Sequence, residues 1–538
     1  MKKKILFIVL LIISLNLFGQ TAPFNIAIEP ITISGLGGLQ SFAFGQDNGK
    51  WLLVGGRLDG LHRRQPWASF DIAGHNNQLI VVDPVTMQKW SAPLTSLPTS
   101  VQEQLSSTNM NFFQEGDYLY IAGGYGYSAT QADHTTFPNL AVIKVSDVIN
   151  AIINNLSFTN HIRQITDKEF QVTGGKLKKI NNVYHLLGGQ KFLGRYNPMG
   201  PNHGPGFTQE YTNQIRRFTL SDDGVNITTN HLTPFTDMTN LHRRDYNAES
   251  QILPNGEEGI TMFSGVFQQT IDLPFLNSVT VDSNNYTVNN SFQQFYNHYH
   301  CAVVPLYSSS NNEMHTVFFG GIAQYYDSSG VLVQDNDVPF VKTIARVTRD
   351  SNGNMAEFKL PLEMPNYLGA GSEFIPIKNI PHFSNEVLKL DEITADSTLI
   401  GYIFGGINST DKIIFWINDG TQSSANGQIF KVYLTNQTLS TSTHDLNEQS
   451  NGTLQMLVYP NPNNGTLKIK YHLKDTKNVR LKIFDLKRRL IESKVLNDQV
   501  VGENTYQQNI DEIAPNGIFF ISIETPNETA TQKIIINE

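Results

Sequence analysis

Trp51-Leu-Leu-Val-Gly-Gly56 is a short apolar run that ends on two glycines, and the chain returns to it five times. The further copies are Tyr118-Leu-Tyr-Ile-Ala-Gly-Gly124, Val183-Tyr-His-Leu-Leu-Gly-Gly189, Ile260-Thr-Met-Phe-Ser-Gly265, His315-Thr-Val-Phe-Phe-Gly-Gly321 and Ile400-Gly-Tyr-Ile-Phe-Gly-Gly406. Ser264 replaces the first glycine of the fourth copy. A short apolar run bounded by turn residues reads as a buried strand. Each copy has companions: a strand before it, as in Leu39-Gln-Ser-Phe-Ala-Phe44, and one after it, as in Asn77-Gln-Leu-Ile-Val-Val-Asp83. In the first copy Val85-Thr-Met-Gln-Lys-Trp90 supplies a fourth. The unit is therefore four strands, with Gly-Gly closing the second. Two residues without Cβ let backbones approach closely where neighbouring units pack.

Six such units resemble the Kelch repeat, which implies a six-bladed β-propeller over residues 21–435. The copies lie about 56 to 85 residues apart, above the ~40–50 usual for propeller repeats, and loop insertions account for the excess. The alternative is a set of unrelated glycine-rich strands in a β-sandwich or β-helix. A ring must close. Asn25-Ile-Ala-Ile-Glu-Pro-Ile-Thr-Ile33 alternates, and it is expected to add an outer strand to the sixth blade, leaving no open edge.

Charge narrows the partners. The 538 residues carry a net −9, unevenly spread. Residues 21–452 hold 25 Lys+Arg against 38 Asp+Glu, a net of −13, whereas residues 453–538 hold 11 against 10. A domain at −13 is unsuited to nucleic acid or anionic lipid, both of which need a basic surface. Cys301 is the only cysteine, so no internal disulfide can form. Lys2, Lys3 and Lys4 precede an apolar stretch, Ile5 to Leu17, and the first 20 residues read as a secretory signal peptide. No later stretch is apolar enough to span a bilayer, so the mature chain is expected to have no transmembrane segment. Residues 436–452 are polar, without apolar periodicity, and read as a linker.

The tail, residues 453–538, is a separate module. It opens Leu457-Val-Tyr-Pro-Asn-Pro-Asn-Asn-Gly465, which is turn chemistry. Alternating strands follow: Thr466–Tyr471, Val479–Phe484 and Gly517–Glu524, the pattern of a small antiparallel sandwich. Tyr459, Pro460, Asn461 and Pro462 with Gly465, the Ala514-Pro-Asn-Gly517-Ile-Phe519 segment and the terminal Gln532-Lys533-Ile-Ile-Ile536 strand closely resemble the type A C-terminal sorting domain of the type IX secretion system. Lys487 and Arg488 depart from the glycine common in the family after Asp485. The resemblance implies a secretion-machinery partner and an extracellular or surface-attached location.

Propellers bind ligands where loops lead into the innermost strands. For blades four to six those loops are expected at Leu241-His-Arg-Arg-Asp-Tyr-Asn247, Asn297-His-Tyr-His300 and Asn379-Ile-Pro-His-Phe-Ser-Asn385. They would bring His242, Arg243, Arg244, Asp245, Tyr246, His298, His300 and His382 to one mouth. Arginine forks suit a carboxylate or a sugar hydroxyl. His298, His300 and His382 are weak candidates for a metal, with His298 and His300 expected on one strand face. A polar channel wall is the plain alternative. No cofactor is expected. Cys301 beside Tyr299 and His300 resembles a fragment of the Kelch-type copper oxidases, but a buried core thiol is favoured. The first functional reading is a binding or scaffold module for a glycan or protein, not an enzyme. The second, by resemblance, is a carbohydrate-active enzyme similar to the Kelch sialate mutarotases, and the third is a copper oxidase.

Overall fold

A computed structural model describes residues 23–435 apart from 201, 329 and 330. In the tail it describes 454, 456–459, 466–473, 479–485, 489–497, 499–509, 517–525 and 529–536. The signal-peptide stretch 1–20, the linker 436–452, and Pro460, Asn461, Pro462 and Gly465 of the sorting motif lie outside the described residues. The chain divides into two compact units, 1–437 and 438–538.

The first unit is a six-bladed β-propeller. Each blade is built on four antiparallel strands, to which blade 5 adds a short parallel fifth, and the strands that open the blades at the channel are Ala43–Asp47, Asn111–Glu115, Lys176–Ile180, Asn247–Ile252, Ala302–Ser308 and Ser372–Pro376. The strand that runs into Gly-Gly, or into Ser264-Gly265 in blade 4, is second in every blade. Asn25–Ile31 pairs antiparallel with Ile429–Thr435, from Asn25 opposite Thr435 to Ile31 opposite Ile429. The N-terminal strand therefore forms the outer edge of blade 6 and closes the ring. Apolar side chains fill the wedges between neighbouring blades, such as Leu52 and Ile121 between blades 1 and 2, or Val304 and Ile403 between blades 5 and 6.

The glycine pairs are the inter-blade contacts. The second glycine of each pair donates its N–H to the next blade: Gly56 to Ser107 O (2.8 Å), Gly124 to Val172 O (3.0 Å), Gly189 to Arg243 O (2.7 Å), Gly321 to Leu368 O (2.9 Å) and Gly406 to Leu39 O (2.9 Å). At Gly123, with φ +69°, a Cβ would fall 1.9 Å from Val172 O. No side chain fits there.

Insertions after the Gly-Gly strands build up one end of the ring. Those of blades 2 and 3 join into one sheet, Thr208–Tyr211, Gln190–Leu193, Asp133–Thr136 and Tyr125–Ser128 in spatial order. A departure from the sequence reading lies in blade 6. Its innermost strand is Ser372–Pro376, so the loop leading into it is Tyr367–Gly371 rather than 379–385. Residues 377–396 instead extend the opposite, hairpin end, where Leu388–Lys389 pairs parallel with the innermost strand of blade 5.

The second unit is a β-sandwich. One sheet holds Met456–Tyr459, Thr466–Leu473 and Gly502–Asn509; the other holds Leu490–Leu496, Val479–Asp485, Gly517–Glu524 and Thr529–Ile536. Leu467, Ile469, Leu481, Ile483, Ile521 and Ile534 form its core. Tyr459 ends one strand, Gly517 opens another, and Lys533 pairs with Phe520.

Candidate functional site

The loops leading into the innermost strands meet in a ring around the channel. Asn109 N donates to Ser41 O (3.1 Å), Gly174 N to Asn109 O (3.1 Å) and Asp245 N to Gly174 O (2.7 Å). Ser41 N donates to Gly371 O (2.8 Å) and Gly371 N to His300 O (2.6 Å). Ser41, Asn109, Gly174, Asp245 and Gly371 all take left-handed backbone, with φ from +50° to +77°. That turn swings the chain from the loop into the channel wall. The residue before each ring member lies against the residue after the Gly-Gly pair, as in Gln40 with Arg57, Thr108 with Tyr125, Thr173 with Gln190 and Arg244 with Val266. Three equivalent positions per blade thus frame one cavity of about 530 Å³.

The frame is regular but its chemistry is not. Blade 1 places Arg57 on it and blade 4 places Arg244, three blades away on the opposite side. Tyr299, Ile322, Ala370 and Ile407 make the side of blades 5 and 6 largely apolar. Insertions add Phe70, Phe192, Tyr196, Phe267, Phe415 and Trp416. His62 packs edge-on against Tyr196 at 4.7 Å, and Phe70 meets Tyr125 at 5.3 Å. The mouth is therefore an aromatic cup with two guanidinium groups and the carboxylates of Asp245, Asp272 and Asp337 in its wall.

Each arginine is held by a carboxylate. Arg57 is 3% exposed and forks onto Asp59, with Nε–Oδ1 at 2.7 Å and Nη2–Oδ2 at 2.5 Å. Arg244 donates Nη1 to Asp245 and Nε to Tyr211 Oη (3.1 Å), and its guanidinium covers the Phe267 ring. Burial opposes the Arg244 charge, but Tyr211 and Asp245 more than offset it and hold the group above its ordinary value. Three buried polar atoms on cavity residues have no hydrogen-bond partner: Arg57 Nη1, His62 Nδ1 and Tyr299 Oη. Burial lowers His62 to about 4, so its imidazole is neutral near pH 7, and burial raises the Tyr299 phenol well above its usual range.

Charged groups follow His300 along the innermost strands. Glu373 of blade 6 accepts His300 Nε2 at 2.6 Å and faces Lys176 Nζ of blade 3 at 3.6 Å. Blades 3 and 6 are opposite each other, so this ion pair crosses the channel. Lys178 and Glu249 pair below it at 2.6 Å. Burial pushes Glu373 up, and Lys176 with His300 pulls it back further, leaving the carboxylate below its ordinary range.

The residues proposed from sequence therefore divide. Arg244, Asp245 and His300 line the cavity. His242 stands half-buried beside them, stacked on Tyr211 at 3.8 Å with Nδ1 2.7 Å from Asn213 Oδ1. Arg243 faces away: it is fully buried and bonds to Asn240 O, Ser264 O, Asn277 O and Asn277 Oδ1. Tyr246 is a core residue that donates to Leu187 O at 2.8 Å. His298 is buried on Phe318, with Nδ1 2.7 Å from Gly320 O. Asn297 and His298 are both left-handed, so strand alternation does not apply and His298 and His300 part company. His382 lies at the hairpin end, on a second cavity of about 890 Å³, and is bonded to Ile380 O. The three histidines offered for a metal are thus kept apart, and among the described residues no group of three or more His, Cys, Asp and Glu could hold one. Cys301 sits in the core with Phe263 and Phe318, where burial raises its thiol to about 12.

Phe70 and Tyr125 are the mouth residues that the sequence reading passed over, and they stand there beside Arg57 and Tyr196. The signal for two of them is positional, because Arg57 and Tyr125 each directly follow a Gly-Gly pair. The segment after the Gly188-Gly189 pair is tied to the mouth at Tyr196, whose N donates to Tyr125 Oη at 2.9 Å.

Comparison with known proteins bears on the two units differently. No curated protein matches the sequence. The WD40 domain of SCAP from fission yeast is similar at 8% identity, over 96% of this chain and 91% of that one, with a TM-score of 0.25. A score that low carries no argument, and the propeller assignment rests on strand order and ring closure. No helix among the described residues is long and apolar enough to cross a membrane. Residues 457–537 match the family described as the secretion system C-terminal sorting domain. The chain carries, as its last module, a type IX sorting domain, which marks it for passage across the outer membrane to the cell surface or beyond.

Proposed function

We propose that the propeller is an exported binding module whose mouth takes an anionic ring, such as an acidic sugar at the end of a glycan. The observation that carries this reading is the pair of guanidinium groups, Arg57 and Arg244, set in opposite blades around one aromatic-lined cavity. Arg57 and Arg244 supply charge for a carboxylate, a neutral His62 can donate or accept to a hydroxyl, and the aromatic wall covers the apolar face of a ring. Titration calorimetry with sialic acid and glucuronic acid tests it. Binding is expected in the full chain and lost in Arg244→Ala. Absence of binding by both sugars, or binding that ignores Arg244, refutes the reading.

One observation favours a second reading, a carbohydrate-active enzyme similar to the Kelch sialate mutarotases. Glu373 accepts from His300 at the cavity and so orients an imidazole toward the ligand space, as a general acid–base group requires. Anomer exchange followed by NMR, compared between the chain and His300→Gln, decides it: equal rates in both remove the enzyme.

The location is tested on the tail. A chain ending at Asn451 should keep its propeller and fail to reach the surface. Continued surface display would separate the sorting domain from export.

A further inference from the structure

The chain has four tryptophans. Trp51 is buried and Trp90 packs partly against the core. The other two are exposed, Trp67 by 69% and Trp416 by 59%, and both sit on insertions at the mouth end, in blades 1 and 6. These two insertions are fastened to each other. Asn418 Nδ2 donates to Leu61 O (2.8 Å) and His62 O (2.9 Å), Arg64 N donates to Asn418 O (2.8 Å), and Leu61 N to Ser423 Oγ (2.9 Å). Trp416 is two residues from Asn418, and Trp67 is three from Arg64. Both indoles therefore belong to one fused rim, and Trp416 also lines the cavity, so rim and mouth are continuous.

The rim carries arginines as well as indoles, alongside the exposed Asp71, Asp411 and Asp419 of the same two insertions. Arg63 and Arg64 are exposed on it, and Arg195 donates to the Trp67 carbonyl. In a domain whose sequence sums to −13, a local run of arginines beside two bare indoles is out of character. Exposed large aromatic side chains grouped at one place mark interaction surfaces.

We propose that this rim, with Trp416 nearest the mouth and Trp67 farther out, is a track for the successive residues of an acidic oligosaccharide whose end residue occupies the cavity. The inference rests on the mouth reading given above. An indole offers a flat apolar face with a polar edge, which suits a pyranose ring that is apolar on one face and hydroxylated around its rim. The neighbouring arginines pair with carboxylates along the chain. A nucleic acid would also stack on tryptophan, and a single-stranded DNA oligomer is the arm of the experiment that tests it. An apolar helix would need a continuous apolar groove, and here exposed Arg63 and Arg64 share the rim with the indoles.

The experiment measures affinity against chain length. The full chain is titrated with galacturonic acid and sialic acid monomers and with their tetramers, following tryptophan fluorescence and heat. The tetramer of one series should bind at least about tenfold more tightly than its monomer, since covering aromatic faces is worth roughly one factor of ten or more. In Trp67→Ala that tetramer-to-monomer ratio should fall, and in Trp67→Ala with Trp416→Ala it should approach one. Thermal melting confirms that the variants are folded. Monomer binding with no gain on lengthening overturns the track and leaves the mouth reading standing. No binding by either series at either length overturns both. A ratio that survives in the double variant, or a single-stranded DNA oligomer that binds as tightly as the tetramer, also overturns the track.

Discussion

Two adjacent arginines should fail in opposite ways. Arg243 and Arg244 are neighbours in sequence, yet Arg243 is a clamp inside blade 4 and Arg244 a wall of the mouth. Arg243→Ala removes four hydrogen bonds and the contact of its guanidinium with Phe275 at 4.1 Å. Bonds from a charged donor contribute about 1.5–3 kcal/mol each. Burial opposes the Arg243 charge, lowering the group to about 9, and losing that charge offsets part of the cost. The carbonyls of Asn240, Ser264 and Asn277 are left without their donor, so the net loss should be about 3–5 kcal/mol. Unfolding entropy near about 2.1 cal/mol/K per residue, over roughly 400 residues, converts that to a fall in Tm of about 4–6 °C. Calorimetry on the full chain reads it. Arg244→Ala, at a partly exposed site, should lower Tm by less than half as much and abolish sugar binding. The reasoning is refuted if Arg243→Ala melts within about 1 °C of the parent, or if Arg244→Ala unfolds the propeller.

Three further outcomes follow from the same contacts. Gly123→Ala puts a methyl 1.9 Å from Val172 O at a left-handed position, so blades 2 and 3 must separate; expression in inclusion bodies or a Tm loss larger than that of Arg243→Ala is expected, and a soluble parent-like protein contradicts it. Deleting residues 23–31 opens the ring at blade 6 and uncovers Ile429–Thr435, so melting should lose cooperativity and aggregation should rise on gel filtration; unchanged melting would mean the ring holds without its closing strand. Glu357 caps the amides of Phe295 and Tyr296, and burial raises its carboxyl from 4.5 to about 8. Its folded pKa lies above the unfolded one, so its contribution is full below about pH 4.5 and is lost as pH climbs through about 8; Glu357→Gln should flatten that part of the stability profile, and an unchanged slope rejects the assignment.

Legibility in the sequence tracked how locally each feature is encoded. The glycine pairs announce themselves because their constraint is local: a backbone oxygen of the next blade occupies the place of a Cβ. Asn25–Ile31 was legible for a similar reason, since alternation marks a strand and only blade 6 lacked an outer one. The leading loop of blade 6 was not. The hydrophobic run Gly371-Ser-Glu-Phe-Ile-Pro376 carries a buried Glu373, which weakens it as a strand, and the 20-residue excursion after it supplies Phe383 and Val387 as a decoy. What keeps Glu373 in an innermost strand is Lys176 from the far side of the channel, a partner that no local window contains. His298 misled for a related cause: strand alternation was assumed across Asn297 and His298, where the backbone is left-handed.

The mouth becomes readable once the glycine pairs are treated as rulers rather than as signatures. In every blade the residue after the pair reaches the cavity: Arg57, Tyr125, Gln190, Val266, Ile322 and Ile407. Gln40, Thr108, Thr173 and Arg244 bridge to the first four, while Tyr299 N donates to Ile322 O (3.0 Å) and Ile407 N to Ala370 O (2.7 Å); each of these partners lies one residue before the ring. The pair fixes these positions because its second N–H is tied to the neighbouring blade, so the next residue has nowhere to go but inward. Read this way, Arg243 falls two places before the ring and is assigned to the wedge between blades, while Arg244 is assigned to the mouth. The echo Leu61-His-Arg-Arg64 and Leu241-His-Arg-Arg244 resolves by the same rule. The first lies beyond a glycine pair, where the chain has left the frame and is building the rim. The second precedes one, inside the frame. Identical tetrapeptides thus take different work from their distance to Gly56 and Gly265, and the two arginines of the mouth hold equivalent frame positions in opposite blades.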